Sequence, residues 1–121
     1  MYQCISAVVH LILAFTFGML RELSKTIQTN FGLVAEAQLT EEQLEELLAA
    51  RVLELIERNA EQLFAVLYRL DVNEAKVHAA MANSSEMPAN IAIARLIIAR
   101  QKQKIETRMR YSKDQEGDGS W

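Results

Sequence analysis

Residues 39–70, LTEEQLEELLAARVLELIERNAEQLFAVLYRL, decide the fold. Large apolar side chains recur there every three or four positions, which is the spacing of one face of an α-helix. The stripe consists of Leu44, Leu48, Val52, Leu55 and Ile56, and it continues in the same phase through Leu63, Val66 and Leu70. Periodicity alone would allow one long helix, so the helix ends have to be found from capping residues.

Two capping patterns lie in this stretch. Thr40 followed by Gln43 is a capping box, in which each side chain accepts a hydrogen bond from the backbone amide of the other residue. Asn59 followed by Gln62 is a second pair of this kind, and it favours a break near Asn59 over one continuous helix. The sequence therefore predicts two consecutive helices here.

Two further helices are expected after residue 70. Asp71 with Glu74 three residues later has the pattern of an N-cap, opening a helix through Val77 to about residue 83. Pro88 suits the first turn of a last helix, which runs to about Tyr111. Its apolar stripe is Ile91, Ala94, Ile97, Ile98, Ile105 and Met109, interrupted by Gln101 and Lys102. The polar second half of this helix is expected to project from the core or to meet a polar partner.

We expect an all-α fold, a small antiparallel bundle of three to four helices with an additional apolar N-terminal helix. The chain has 121 residues with one Pro and four Gly, too few turn residues for a sheet protein of this length. A single Cys excludes an internal disulfide framework and a cysteine zinc site. The expected organisation is an apolar lead over 1–35, a helical domain over 36–111 and a flexible tail over 112–121.

The apolar lead is centred on residues 4–20, CISAVVHLILAFTFGML, which contain no charged residue. A membrane-spanning helix needs about 20 apolar residues, so this run is marginal. Three interpretations stay open: a membrane anchor, a non-structural extension from a start codon assigned too early, and an ordinary core helix. Arg21 and Lys25 follow the run, so an anchor would hold the domain at the inner face of the membrane. We expect a cytoplasmic location, whether or not residues 4–20 form an anchor.

The charges of the chain are unevenly distributed, although the formal net charge is only -3. Acidic residues outnumber basic ones roughly four to one between Glu36 and Glu61, and basic residues prevail from Arg95 to Lys113. Oppositely charged helices can pair within one molecule, between two copies or with a partner. The polarity therefore indicates recognition without naming the partner.

The sequence contains no pattern typical of catalysis. Its two histidines are His10 and His78, and Glu74 lies one turn before His78. A di-iron site would need several helices with Glu-x-x-His spacing, so this single pair is interpreted as a surface contact. There is no nucleophile elbow and no phosphate-binding Gly loop. We expect a protein that is not an enzyme, with no catalytic residue, no metal and no cofactor.

The leading hypothesis is a non-catalytic helical protein–protein interaction module. Arg100, Lys104 and Arg108 recur every four residues and form a basic stripe that could meet an acidic surface on a protein partner or on another copy. The stripe could equally be solvated, or pair loosely with the acidic helix at about 0–1 kcal/mol per exposed pair. A membrane contact through residues 4–20 is a further open possibility, with the stripe against anionic lipids.

The alternative hypothesis is DNA binding through a helix-turn-helix-like segment at 65–81. Lys76 and His78 would then contact nucleic acid from the second helix. Two departures weaken it, because Asp71 stands where Gly is usual and the bulky Leu67 stands where a small residue is usual. The second helix is also poor in the positive charge that neutralises phosphates, so nucleic acid is the less favoured partner.

A resemblance covers about half of the chain. Tyr68, Arg69, Leu70, Asp71 and Val72 precede a helix that contains Arg100, Gln101, Gln103 and Lys104. This combination resembles a small uncharacterised family of all-helical bacterial proteins. The resemblance implies a bacterial domain over about 39–111, with the apolar lead as an addition, and it implies no activity.

Overall fold

The computed structural model describes residues 18–33, 39–82 and 86–118, and every regular element in these ranges is an α-helix. The all-α class predicted from the sequence is therefore confirmed. The helices are α1 over 18–31, α2 over Glu41–Arg58, α3 over Ala60–Arg69, α4 over Glu74–Ala82 and α5 over Ala89–Asp118. Helix α5 begins directly after Pro88 and continues past Tyr111 to Asp118, into the stretch predicted as a flexible tail.

Both N-caps predicted between residues 39 and 62 are present. The Thr40 hydroxyl accepts a hydrogen bond from the Gln43 amide (3.1 Å), and the Gln43 side chain accepts one from the Thr40 amide (3.0 Å). Asn59 leaves the helical conformation at φ -154°, and its side-chain oxygen accepts a hydrogen bond from the Gln62 amide (3.2 Å). The predicted break between α2 and α3 is thus confirmed.

The start of α4 differs from the prediction. The residue that caps it is Asn73, whose side-chain oxygen accepts a hydrogen bond from the Lys76 amide (3.2 Å). Asp71 instead ends α3, in the left-handed conformation with φ 60°. The amides of Asp71 and Val72 donate back to the carbonyls of Tyr68 (3.1 Å) and Leu67 (3.0 Å), which is the Schellman ending of a helix.

The core is one apolar cluster to which all five helices contribute side chains. The predicted stripes account for most of it, although Ile56, Ile91 and Met109 are only partly buried and Ile93 was not in a predicted stripe. The fully buried large side chains are Leu23, Ile27, Leu44, Leu48, Val52, Leu63, Val66, Val77, Ile93, Ile97 and Ile105. Burying each is worth about 1.5–3 kcal/mol, so this cluster dominates the stability of the fold.

Helix α1 belongs to this core, because Leu23, Ile27 and Phe31 are each 3% exposed or less. Two polar contacts also tie it down: Arg51 donates to the Phe31 carbonyl (3.1 Å), and Arg108 pairs with Glu22 (3.0 Å). The core therefore extends beyond the boundary predicted at residue 36. Most of the apolar run over 4–20 lies outside the described residues. Within the described ranges, no helix is long and apolar enough to cross a membrane.

The placement of α1 in the core can be tested by substitution. Ile27→Ala removes a fully buried side chain and should lower the free energy of unfolding by about 2–5 kcal/mol, because a cavity is left in the core. Thr29→Ala on the exposed side of the same helix is the matched control and should change it by about 0.5 kcal/mol or less. Urea denaturation gives both values. If both substitutions had equally small effects, α1 would not be part of the core.

Candidate interaction site

The acidic and basic helices pair within the molecule. Arg95 of α5 binds Glu45 of α2, and Lys102 binds Glu41 (2.9 Å). The Asn90 side chain donates to the Ala49 carbonyl (3.2 Å) at the far end of the same contact. These contacts follow in opposite order along α2 and α5. The two ion pairs are largely exposed, so each contributes about 0–1 kcal/mol to stability. Their main effect is to set the register in which α2 and α5 pack.

Arg100, the first residue of the predicted basic stripe, is held by the turn after α3. Its guanidinium donates to the Asp71 carbonyl (3.0 Å) and to the Asp71 carboxylate (2.6 Å). A third N–H donates to the Gln103 side chain (2.8 Å). The planar guanidinium fork suits this arrangement, because two of its N–H groups reach two oxygens of one residue.

Gln101 binds the neighbouring residue of the same turn. Its side chain is buried, and its amide donates to the Leu70 carbonyl (2.9 Å), one of the carbonyls left free where α3 ends. The polar residue that interrupts the apolar stripe of α5 therefore has its partner inside the chain. The two stretches that carry the family resemblance, 68–72 and 100–104, thus contact each other through Arg100 and Gln101.

The pKa of the Asp71 carboxyl lies below its ordinary value of 3.8. The main cause is the hydrogen bond from Arg100, followed by the positive charge of the same guanidinium, and Lys104 adds a weaker charge effect. Both causes stabilise the carboxylate over the neutral acid. The ion pair at the end of α3 therefore persists to lower pH than an ordinary aspartate would allow.

The other two residues of the basic stripe have different surroundings. Arg108 pairs with Glu22 of α1 (3.0 Å), so it too is engaged within the chain. Lys104 is half-buried and forms no ion pair among the described residues. Two of the three residues of the stripe are therefore paired within the chain. Lys104 is the third, and its charge is the one left to bind another molecule.

The residues of the DNA-binding alternative lie on α4. Lys76 is exposed, whereas His78 contacts Glu74 (3.5 Å) and stacks against Phe64 of α3 with ring centres 6.1 Å apart. The surface pair predicted for Glu74 and His78 is thus present. Within the described ranges, no group of three His, Cys, Asp or Glu side chains is placed to hold a metal ion.

An apolar groove opens between α3 and α4, with a volume of about 240 Å³. Leu67 and Val77, which belong to the core, contribute to its lining, together with Val72, Phe64, Tyr68 and the carboxylate of Glu74. Tyr68 is 89% exposed and Phe64 36%, although both are large aromatic residues. We call this surface, with these six residues, the α3–α4 face.

The α3–α4 face was not among the sites predicted from the sequence. Its signal is present all the same, because Phe64 and Tyr68 are four residues apart and lie off the stripe of Leu63, Val66 and Leu70. Large aromatic residues outside the core stripe of a helix point to a second contact surface.

A scan against protein-family models, a search of the curated proteins and a search of the solved structures each found no match. The resemblance to a bacterial helical family stays a prediction.

The Asp71–Arg100 pair gives a testable pH dependence. Because folding lowers the pKa of Asp71, its contribution to stability is complete well above 3.8 and is lost as the pH falls through the lower folded-state value. The difference in unfolding free energy between the wild type and Asp71→Asn should be constant near neutral pH and shrink under acid. Urea denaturation over a pH series measures it. A difference that stays unchanged into strong acid would contradict the pairing.

Proposed function

We propose that the chain is a non-catalytic protein–protein interaction module that binds through the α3–α4 face. The five described helices form its scaffold, an antiparallel bundle in which α2 and α4 both pack against α5. One observation carries the proposal: Tyr68, a large aromatic residue that is 89% exposed, stands beside an apolar groove. Exposed aromatic residues next to apolar pockets are typical of the residues that dominate protein interfaces.

The size of the groove favours a protein partner over a small molecule. Pockets that enclose small ligands have volumes of roughly 300–1,000 Å³. The α3–α4 groove has about 240 Å³, with an apolar lining and a single carboxylate, that of Glu74. Such a slot suits one apolar side chain of a partner, with the rims of α3 and α4 adding surrounding contacts.

The basic stripe has a reduced part in this proposal. Arg100 and Arg108 are bound to Asp71 and Glu22, so neither guanidinium can bind a partner without giving up a contact within the chain. Lys104 is the residue of the stripe that we propose as an auxiliary contact for an acidic partner. The proposed cytoplasmic location rests on the sequence alone, through Arg21 and Lys25 after the apolar run.

DNA binding is the rival function, and one observation favours it. Asp71 adopts the left-handed conformation that Gly usually supplies in a helix-turn-helix, so this departure from the motif is smaller than its residue type suggests. Against it, α4 exposes one lysine, Lys76, and also carries the exposed carboxylate of Glu74, so it can neutralise little phosphate charge.

The proposal is tested by affinity capture with the full chain, because α1 belongs to the core. Wild type, Tyr68→Ala and Tyr111→Ala are compared in nuclease-treated lysate of the source cells by quantitative mass spectrometry. Both tyrosines are exposed, and Tyr111 lies outside the groove, so it is the matched control. We expect proteins that wild type and Tyr111→Ala retain and that Tyr68→Ala loses by about tenfold or more, the cost of about 1.4 kcal/mol.

Two results would contradict the module. One is a set of captured proteins that is the same for all three chains. The other is retention of nucleic acid alone in untreated lysate, abolished by Lys76→Glu, which would establish the DNA-binding alternative.

A further inference from the structure

Helix α3 has an exposed face opposite its buried one. Glu61, Phe64, Ala65, Tyr68 and Arg69 are all exposed, and their spacing places them on one side of the helix. The buried side of the same helix contributes to the core. The exposed side therefore has the composition of a helix-packing surface, with two aromatic rings beside a small residue.

The charges of this face are arranged in a self-complementary way. Glu61 lies in the first turn of α3 and Arg69 in the last, with Ala65 midway between them. Neither Glu61 nor Arg69 forms an ion pair within the described residues. If two copies of α3 pack antiparallel about a two-fold axis at Ala65, each Glu61 faces Arg69 of the other copy.

We propose that the occupant of the α3–α4 face is a second copy of this chain, packed with its α3 antiparallel to the first. This inference rests on the proposed function and names its partner. Ala65 at the axis lets the two helices approach, and the Phe64 and Tyr68 rings of each copy pack over the groove of the other. Leu67 and Val77 at the floor of that groove are already buried, so the apolar surface that the contact covers is that of Tyr68, Phe64 and Val72 around it.

The size of the face sets the strength of this association. A helix of 10 residues is about 15 Å long. Such a contact falls below the roughly 1,200 Å² of a stable standard interface, so the dimer forms and dissociates readily. We expect a dissociation constant between about 1 μM and 1 mM.

Sedimentation equilibrium of the full chain and of two charge-reversed variants tests the pairing. Glu61→Arg and Arg69→Glu each place like charges opposite one another in a dimer of identical copies, so each alone should associate about tenfold or more weakly than wild type. An equimolar mixture of the two variants restores both attractions and should associate as wild type does. Thermal melting followed by circular dichroism checks that each variant folds.

The aromatic contribution is tested in the same experiment with Tyr68→Ala against Tyr111→Ala. Association should weaken about tenfold or more in the first variant and stay unchanged in the second. The inference is overturned if wild type is monomeric up to about 1 mM. It is also overturned if mixing the charge-reversed variants does not restore association, or if the dimer forms equally well in Tyr68→Ala and in both charge-reversed variants.

The inference and the proposed function can fail separately. A monomeric wild type that still loses captured proteins on Tyr68→Ala keeps the interaction module and rejects the second copy as its occupant. A monomeric wild type whose captured proteins are unaffected by Tyr68→Ala rejects both.

Discussion

Helix α5 holds the end of α3 through two adjacent side chains, and the arrangement of α3, α4 and their groove depends on this contact. Arg100 binds the carbonyl and the carboxylate of Asp71, and the buried Gln101 binds the Leu70 carbonyl. Asp71 stands in a left-handed conformation that residues other than Gly rarely adopt. An aspartate suits this position better than Gly, because Gly would fit the backbone but offer the guanidinium only its carbonyl and no carboxylate. With the turn fixed, Asn73 can cap α4, and α4 packs against α5.

The same contact decides which surfaces are left for other molecules. Arg100 and Arg108 appear on the sequence as part of a basic stripe, yet the fold engages them with Asp71 and Glu22. Much of the charge polarity of the chain therefore acts between its own helices. The ring of Tyr68 stays exposed beside the groove, and this aromatic surface is the one that we propose for recognition. The ion pairs between helices thus act within the molecule, whereas the exposed aromatic residues, together with Glu61 and Arg69, form the proposed external contact.

Capping patterns and apolar periodicity predicted the helices well. They could not predict contacts between residues that are distant in the sequence. The caps at Thr40 and Asn59 involve residues three apart, so the sequence reveals them directly. The same pattern predicts Asp71 as a cap, and this prediction is wrong, because the Asp71 carboxylate binds Arg100, which lies 29 residues away in the sequence. By periodicity alone, Gln101 is a polar interruption of an apolar stripe. Its hydrogen bond to the Leu70 carbonyl, 31 residues away in the sequence, is not visible in that pattern. The α3–α4 face was not predicted, because the charge pattern indicates the basic stripe instead, and Phe64 and Tyr68 lie off the apolar stripe of α3.

Arg100 fixes the turn between α3 and α4, and native-state hydrogen exchange of the Arg100→Met variant measures this dependence most directly. Methionine keeps an apolar stem and removes the guanidinium. The Val72 amide, bonded to the Leu67 carbonyl, should exchange markedly faster in the variant, while amides near Leu48 and Val52 in the centre of α2 keep their protection relative to global unfolding. If exchange at Val72 is unchanged, or if every helix loosens equally, the turn does not depend on Arg100 as described.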